Sequence, residues 1–461
     1  MRVARRTFLA STLVSLAAPA VTRLARADTP PITLKLHHGF SAVSSVHDKF
    51  LSPWARKIEA ESGGRIHIDI FPSMELGGAP AQLFDQARDG DAEIVWAAPG
   101  LTPGRFPTIE TFELPFLPSR RALVSSKALQ DFAAIYLNDE FNEVHPLGFS
   151  CTDRGVIHAN AAVRSIEDIK ELKLHVQTRL GGEAMRALGA HPVPMPSAEL
   201  PAALTEHVVD GCVDPWHMVP PLRLDDLLKT HTEFSDLSLT SRAYVLAMNK
   251  PAYEQLPRDL KSVLDNNSGQ LAAGMAGAMW DIQAHAVAED VAERGDVIVT
   301  LLPEAVAHWR KATEPVVETW LKDMKEHKVD AGKMIASAHA LLAKYASLPE
   351  PQPPQVPLPE KEVVTQPQQP RSAGVTTGPN VPAPAAPVAQ PAPPAPPSVP
   401  VAKPAPPAPP HIATRAPAPA PTAPVATPAP TVSVAPVAKP VPPPASAPPP
   451  PPAPKTLNIP L

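Results

Sequence analysis

Hydrophobic residues recur with two different periods in the first hundred residues of the chain. In residues 32–36 and 66–70 they alternate with polar residues, which is typical of a β-strand with one buried face. Between these runs, the large apolar residues of 50–58 are spaced to share one face of a helix, and Gly63-Gly64 closes that segment. This order predicts a β-α-β unit.

Strands and helices continue to alternate after this unit, and the pattern begins again after Cys151. Strands that alternate with helices form largely parallel sheets with both faces covered, so we expect two α/β lobes. A helix with Leu83, Phe84 and Ala87 on its inner face is predicted to stop at Gly90. The other predicted elements are strands over 93–97 and 173–176, and helices over 165–172, 181–188 and 197–208.

The last third of the chain changes composition twice. Residues 252–345 are rich in Ala, Leu, Glu and Lys, which predicts mainly helices, with one long helix from Leu260 to His285. After position 350 the chain holds 40 of its 64 prolines and no Phe, Trp, Tyr or Cys. Such a composition cannot build a packed core, so residues 351–461 are predicted to be a disordered, extended Pro/Ala-rich tail.

The first 27 residues have the features of an export signal. A basic start is followed by an apolar run over 8–20, and Ala25-Arg26-Ala27 forms a cleavage site of the small-x-small type. The run RRTFL at 5–9 also resembles a twin-arginine signal, although an ordinary secretory signal with two adjacent arginines fits as well. Both routes lead out of the cytoplasm.

In an oxidising compartment, Cys151 and Cys212 either form a disulfide or are two small buried residues that never meet.

Charge and missing motifs argue against several functions. The net charge is −5, and the leader (+5) and tail (+4) leave −14 for residues 28–350, so an acidic body without a basic stripe argues against nucleic acid as a partner. Adjacent His37 and His38 would point to opposite faces of a strand, and no metal-ligand spacing is present. Nucleotide and nucleophile motifs are absent too, so we expect no metal, no cofactor and no enzyme activity.

Several short motifs follow one another in order and at characteristic spacings. They are 53–59 (PWARKIE), 62–66 (SGGRI), 71–77 (FPSMELG), 88–94 (RDGDAEI), 188–196 (LGAHPVPMP), Glu199, 203–204 (AL), 209–211 (VDG) and 248–250 (MNK). No single motif would suffice, but together they resemble the substrate-binding subunits of tripartite ATP-independent periplasmic (TRAP) transporters, extracytoplasmic solute-binding protein family 7. The resemblance extends from about residue 32 to residue 345.

The resemblance implies a two-lobed periplasmic binding protein fold with a long helix along both lobes. On that pattern, lobe I holds residues 28–149 and 238–280, and lobe II holds residues 150–237 and 281–350. The family binds carboxylates and related organic anions between closing lobes in the periplasm. It passes them to small and large TRAP membrane subunits driven by an ion gradient. The long helix is compatible with either a monomer or a dimer.

The resemblance also places the family's main carboxylate-binding arginine at His175 of this chain. His175 binds the anion as a partly protonated imidazole, or Arg179 has taken over its role, or the ligand is not a simple carboxylate. A structural alternative is that His175 only fills its strand. Arg179 begins a predicted helix, where its charge and the helix N–H groups can face an anion, or it is a solvated surface residue.

Four more candidates complete the predicted site. Arg154 matches a second arginine of the family that reaches toward the ligand, or it forms a surface salt bridge. Asp214 stands where many relatives have an amide, and a carboxylate there accepts from a ligand hydroxyl or ammonium group. Trp216 and Trp96 are candidate apolar walls of the cleft, or ordinary core residues.

These observations lead to one main hypothesis and one rival. In the main hypothesis the chain captures a small organic anion outside the inner membrane and delivers it to TRAP membrane subunits. In the rival, it is an envelope-organising or cell-surface protein that acts through its proline-rich tail.

Overall fold

The computed structural model describes residues 30–327 and 329–352. The predicted export signal lies outside these residues, and so does the predicted tail except for positions 351 and 352. The strands in the described part are β1 (Ile32–His38), β2 (Ile66–Phe71), β3 (Ile94–Ala97), β4 (Val144–Cys151), β5 (Gly155–Ala159), β6 (Lys173–Val176), β7 (His191–Pro194), β8 (Gly211–Pro215), β9 (Thr230–Phe234), β10 (Ala243–Asn249) and β11 (Val297–Leu301).

The α-helices cover both faces of the sheets. They are α1 (Ser52–Glu61), α2 (Leu83–Asp89), α3 (Ala122–Tyr136), α4 (Ile166–Ile169), α5 (Arg179–Ala187), α6 (Leu200–Thr205), α7 (Val219–Leu222), α8 (Leu224–Leu227), α9 (Lys250–Gln255), α10 (Arg258–Asn266), α11 (Gln270–Glu293), α12 (Pro303–Glu326) and α13 (Ala331–Tyr345). In the described residues, none of them is both long and apolar enough to cross a membrane.

The strands form two sheets. The first has the order β2-β1-β3-β10-β4, and its first three strands are parallel, with Ile32 paired to Ile66, so the predicted β-α-β unit is confirmed. The second has the order β11-β9-β5-β8-β6-β7. Neither sheet is purely parallel, because β10 is antiparallel to both β3 and β4, and β5 is antiparallel to both β8 and β9.

Two crossing segments join the sheets. Residues 152–154 lead from β4 to β5, and residues 235–242 lead back from β9 to β10. The segments are hydrogen-bonded side by side, because the Thr152 N–H donates to the Arg242 carbonyl (3.0 Å) and the Gly155 N–H donates to the Thr240 carbonyl (2.9 Å). Gly155 is required there, since a Cβ at this position would lie 2.1 Å from the Thr240 hydroxyl.

The predicted single helix over Leu260–His285 is wrong, because the helix is interrupted between α10 and α11. The Trp54 indole N–H donates to the Asn267 carbonyl (2.8 Å), and the Gly269 N–H donates to the Leu147 carbonyl (2.7 Å), so these groups are not available to a continuous helix. Gly269 has φ 59°, a conformation that favours glycine. The prediction also missed β11, which interrupts the helical region over 252–345.

The long helix α11 does run along both sheets. Its 24 residues span about 36 Å. Ala276, Met279 and Trp280 lie in the core of the first sheet, whereas Ala284 and Val287 lie in a core of the second.

The division of the chain into lobes at the predicted boundaries stays a proposal. Helix α13 packs against α3, and its residues Met334 and Ala338 share a core with β4 and β10, which places 331–345 beside the first sheet.

Cys151 of the first sheet and Cys212 of the second are both buried and free. They therefore pack as small apolar side chains.

Candidate functional site

A small cavity lies where the carboxyl ends of β6 and β8 meet the two crossing segments. Its volume is about 30 Å³, room for roughly one or two water-sized groups. The carboxyl ends of neighbouring parallel strands are a common place for ligands in α/β sheets. The cavity is lined by Thr152, Val176, Gln177, Thr178, Gly181, Val213, Asp214, Pro215, Thr240, Ser241 and Arg242.

Arg242 supplies the positive charge of this cavity, although the sequence did not single it out. It directly precedes β10, and its N–H donates to the Thr152 hydroxyl (3.1 Å). Its guanidinium Nη1 lies 3.4 Å from the Tyr244 hydroxyl, while its buried Nε has no hydrogen-bond partner in the described residues. A guanidinium with unused donors in a cavity is a site for an anion, because it stays charged and binds a carboxylate through two parallel N–H groups.

Asp214 is the acidic group of the same cavity. It is fully buried at the end of β8, where the Gln177 amide donates to its Oδ1. Burial raises the pKa of Asp214 to about 7, and the nearby Arg242 charge opposes this shift. Its Oδ2 has no partner in the described residues, so Asp214 lies where a bound molecule would meet it.

His175 lies behind the cavity wall. Its side chain is fully buried on β6, 3.9 Å from Asp214, and it is not among the lining residues. Burial lowers the pKa of His175 to about 4, so the imidazole is neutral near pH 7. This result argues against the partly protonated imidazole and supports the alternative that His175 fills its strand.

Arg154 and Trp216 meet at one buried carboxylate. The Arg154 Nε lies 2.6 Å from the Glu233 Oε2, and the Trp216 indole N–H donates to the same oxygen (3.1 Å). Neither side chain lines the cavity. The ion pair of Arg154 is therefore buried, unlike the surface salt bridge that the sequence left open. Trp216 is a core residue.

Arg179 is also engaged by acidic side chains. Its Nη1 donates to Glu183 (2.9 Å) and its Nε donates to Glu110 (3.3 Å), so its charge is already compensated. Only the start of its helix borders the cavity, through Thr178 and Gly181. The Thr178 hydroxyl accepts from the Gly181 N–H (3.1 Å) and caps α5.

Aromatic rings collect beside Arg242 on the side of the first sheet. Trp96 stacks on Tyr244 with ring centres 5.1 Å apart, and it is a buried core residue rather than a cavity wall. Phe40 and Tyr244 each lie about 6 Å from Trp280, and His217 from the second sheet approaches Trp280 at 4.2 Å. The rings thus bridge the two sheets.

Metal ligands do not gather in the described part of the chain. No group of three or more His, Cys, Asp or Glu side chains there is close enough to hold an ion. His37 contacts Gln86 (2.7 Å) and His38 contacts His47 (3.0 Å), so the two adjacent histidines face different partners.

Comparisons with known proteins give one consistent picture. The model of the bacterial extracellular solute-binding protein family 7 matches residues 37–323. A TRAP solute binding protein from Rhodoferax ferrireducens T118, solved with copurified benzoate, is 35% identical with a TM-score of 0.66, covering 68% of this chain and 98% of its own. A TRAP protein from Bordetella bronchiseptica with bound mandelate is 27% identical with a TM-score of 0.63, over 68% and 99%.

A curated relative agrees with these structures. The C4-dicarboxylate-binding periplasmic protein DctP of Rhodobacter capsulatus is 26% identical over 242 residues, which cover 51% of this chain and 70% of the relative.

Proposed function

Because this chain belongs to family 7 of the bacterial extracellular solute-binding proteins, the periplasmic binding proteins of TRAP transporters, we propose that it captures a small aromatic carboxylic acid beside Arg242. Members of this family bind small organic acids and are not enzymes. The observation that carries the proposal is a guanidinium with unused donors in a cavity at the junction of the two sheets.

The surroundings of Arg242 suit a carboxylate. The hydroxyls of Thr152 and Thr240 line the same cavity and can donate to the carboxylate oxygens. The first turn of α5 also borders the cavity, and the positive end of a helix dipole favours an anion. These groups replace the donor that the family arginine would supply at the position of His175.

The aromatic class of the acid is supported by two observations. Phe40 and His217 are partly buried rings beside Tyr244 and Trp280, and ring-on-ring packing stabilises aromatic ligands. In addition, the two similar TRAP proteins hold benzoate and mandelate, both of which join a ring to a carboxylate.

Capture requires the two sheets to move apart. A cavity of about 30 Å³ is too small for any aromatic acid, so the ligand-bound form must be wider at this point than the described form. The acid enters while the cleft is open, and closure is favoured only if the ligand binds the closed form better. The closed form then presents the acid to the small and large TRAP membrane subunits.

Calorimetric titration with benzoate, 3-hydroxybenzoate, mandelate and succinate tests the proposal. We expect an aromatic acid to bind the mature protein, and Arg242→Ala to weaken it by about 2–4 kcal/mol, which is ~30- to ~1000-fold in Kd. Arg242→Lys keeps the charge but loses the two parallel N–H groups, so its Kd should lie between those of the wild type and Arg242→Ala.

The matched control is Arg223→Ala, which removes an arginine whose side chain is 79% exposed. It should bind like the wild type. Thermal melting of each variant separates lost binding from lost folding. The proposal is wrong if no acid binds the wild type, or if folded Arg242→Ala retains full affinity.

A further inference from the structure

Asp214 lines the cavity of the proposed ligand site, and its buried Oδ2 is a hydrogen-bond acceptor without a partner in the described residues. We propose that Asp214 selects acids that carry a hydroxyl group in addition to the carboxylate. This inference rests on the proposed function, since it assumes that Arg242 already holds the carboxylate in the same cavity.

The hydrogen-bond partners of Asp214 support this role. Gln177 occupies Oδ1, but Oδ2 has no partner in the described residues, although the side chain is 0% exposed. A buried polar atom without a partner is costly, and native structures rarely keep one without a reason. A donor supplied by the ligand would remove this cost.

Neither of two neighbouring protein groups is a good donor to Oδ2. The Cys212 thiol beside Asp214 is only a weak donor. The His175 Nε2 lies 3.9 Å from Oδ2, which is too long for a hydrogen bond, and neither ring nitrogen has a partner in the described part of the chain. Among the other polar side chains of the cavity, Gln177 donates to Oδ1 and Arg242 makes no hydrogen bond to Oδ2. The rest are the hydroxyls of the crossing segments and of Thr178. The acceptor therefore remains free for a bound molecule.

The donor that the ligand offers to Asp214 is either a hydroxyl or an ammonium group, and the charge of the cavity favours the hydroxyl. An ammonium group in this desolvated cavity needs an ionised Asp214 to compensate its charge, and burial raises the pKa of Asp214 to about 7, so this carboxyl is only partly ionised near pH 7. A hydroxyl donates without adding charge. The ligand class is therefore a hydroxylated carboxylic acid.

The experiment measures how much one hydroxyl contributes to binding. Wild-type protein is titrated with benzoate and its 2-, 3- and 4-hydroxy forms, and with phenylacetate and mandelate. We expect at least one hydroxylated acid to bind roughly 10- to 100-fold more tightly than its parent, because a buried acceptor otherwise stays unpaired. In Asp214→Ala this preference should fall below about threefold.

Two variants keep the result interpretable. Asp214→Asn has the same shape as the wild type and should also reduce the hydroxyl preference, so it replaces Asp214→Ala if that variant does not fold. Asp210→Asn removes an exposed carboxylate just before β8, which accepts from the Lys173 N–H (2.8 Å), and should leave the preference unchanged.

The outcomes separate this inference from the proposed function. If acids bind through Arg242 but no hydroxyl is preferred, or if the preference survives in both Asp214 variants, the selection by Asp214 is refuted and the function stands. If no acid binds the wild type, both are refuted.

Discussion

Buried charges around the cavity determine which molecules it accepts. Arg242 is the cation, while Asp214 and the buried Glu113 are carboxyl groups close enough to feel its charge. Burial raises the pKa of each of them to about 7, because a carboxylate loses its hydration there. His175 does not titrate in this range, since burial lowers its pKa to about 4.

Benzoate binding should therefore weaken as the pH rises from 6 to 8. Below pH 7, Asp214 is mostly protonated and neutral, whereas above pH 7 it is an anion that repels the benzoate carboxylate. The expected loss is up to ~10-fold in Kd per pH unit for each carboxyl that must take up a proton. Calorimetric titrations at pH 6, 7 and 8 measure it.

Asp214→Asn is the control for the source of this pH dependence. It removes one of the two titrating groups, so the change in Kd between pH 6 and 8 should become smaller, and binding at pH 8 should become tighter. A wild-type Kd that stays constant or decreases toward pH 8 would contradict the assignment.

Helix α11 is the element that holds the first sheet's helices in place. Its Asp281 carboxylate accepts from the N–H groups of Ala122 (2.6 Å) and Leu123 (3.0 Å) and so anchors the start of α3. The two helices also approach closely at Gly277, where a Cβ would lie 2.7 Å from the Leu123 Cα. Glycine is needed here for close packing.

Gly277→Ala should destabilise the protein by roughly 1–3 kcal/mol, because the new methyl group must push two backbones apart. Thermal or urea unfolding of the ligand-free protein measures this effect.

Gly274→Ala is the matched control on the same helix. Its Cβ would meet only the flexible end of Lys127 at 3.4 Å, so the better helix propensity of alanine should dominate. We expect a gain of up to about 1 kcal/mol. Equal effects of the two substitutions would show that the close approach at Gly277 does not constrain the packing.

At the scale of the whole molecule, binding depends on the two sheets and the segments that cross between them. The cavity is formed by residues of β6, β8, the start of α5 and both crossing segments. Helix α11 contributes to the core on each side, so it can brace both during opening and closure. In the part of the chain that the structure describes, every residue that lines the cavity lies between Thr152 and Arg242.

Removal of residues 353–461 should therefore leave acid binding unchanged. We expect the Kd of the shortened protein to stay within about twofold of the full mature chain, since the described residues that line the cavity lie between Thr152 and Arg242 and are all retained. Calorimetry on both forms provides the comparison, with Arg242→Ala in the shortened chain as the non-binding reference. A large loss of affinity on truncation would instead favour the rival role for the tail.

Local features of this fold could be predicted from the sequence because backbone geometry fixes their period. Alternation over 32–36 and 66–70 identified β1 and β2, and Gly90 was correctly placed at the end of α2, where its φ is 84°. Ordered motifs indicated the family. Each of these signals spans only a few neighbouring residues.

The candidate site could not be read in the same way, because buried charges find their partners across the fold. Arg154 meets Glu233, 79 residues away, and the Trp54 indole meets the Asn267 carbonyl, 213 residues away, beside the break between α10 and α11. Arg242 became a ligand candidate only because β10 returns to the first sheet and brings it beside β6 and β8. Sequence period determined many of the local elements and the α/β class, whereas long-range packing interrupted the predicted helix after α10 and decided which charges remain free for a ligand.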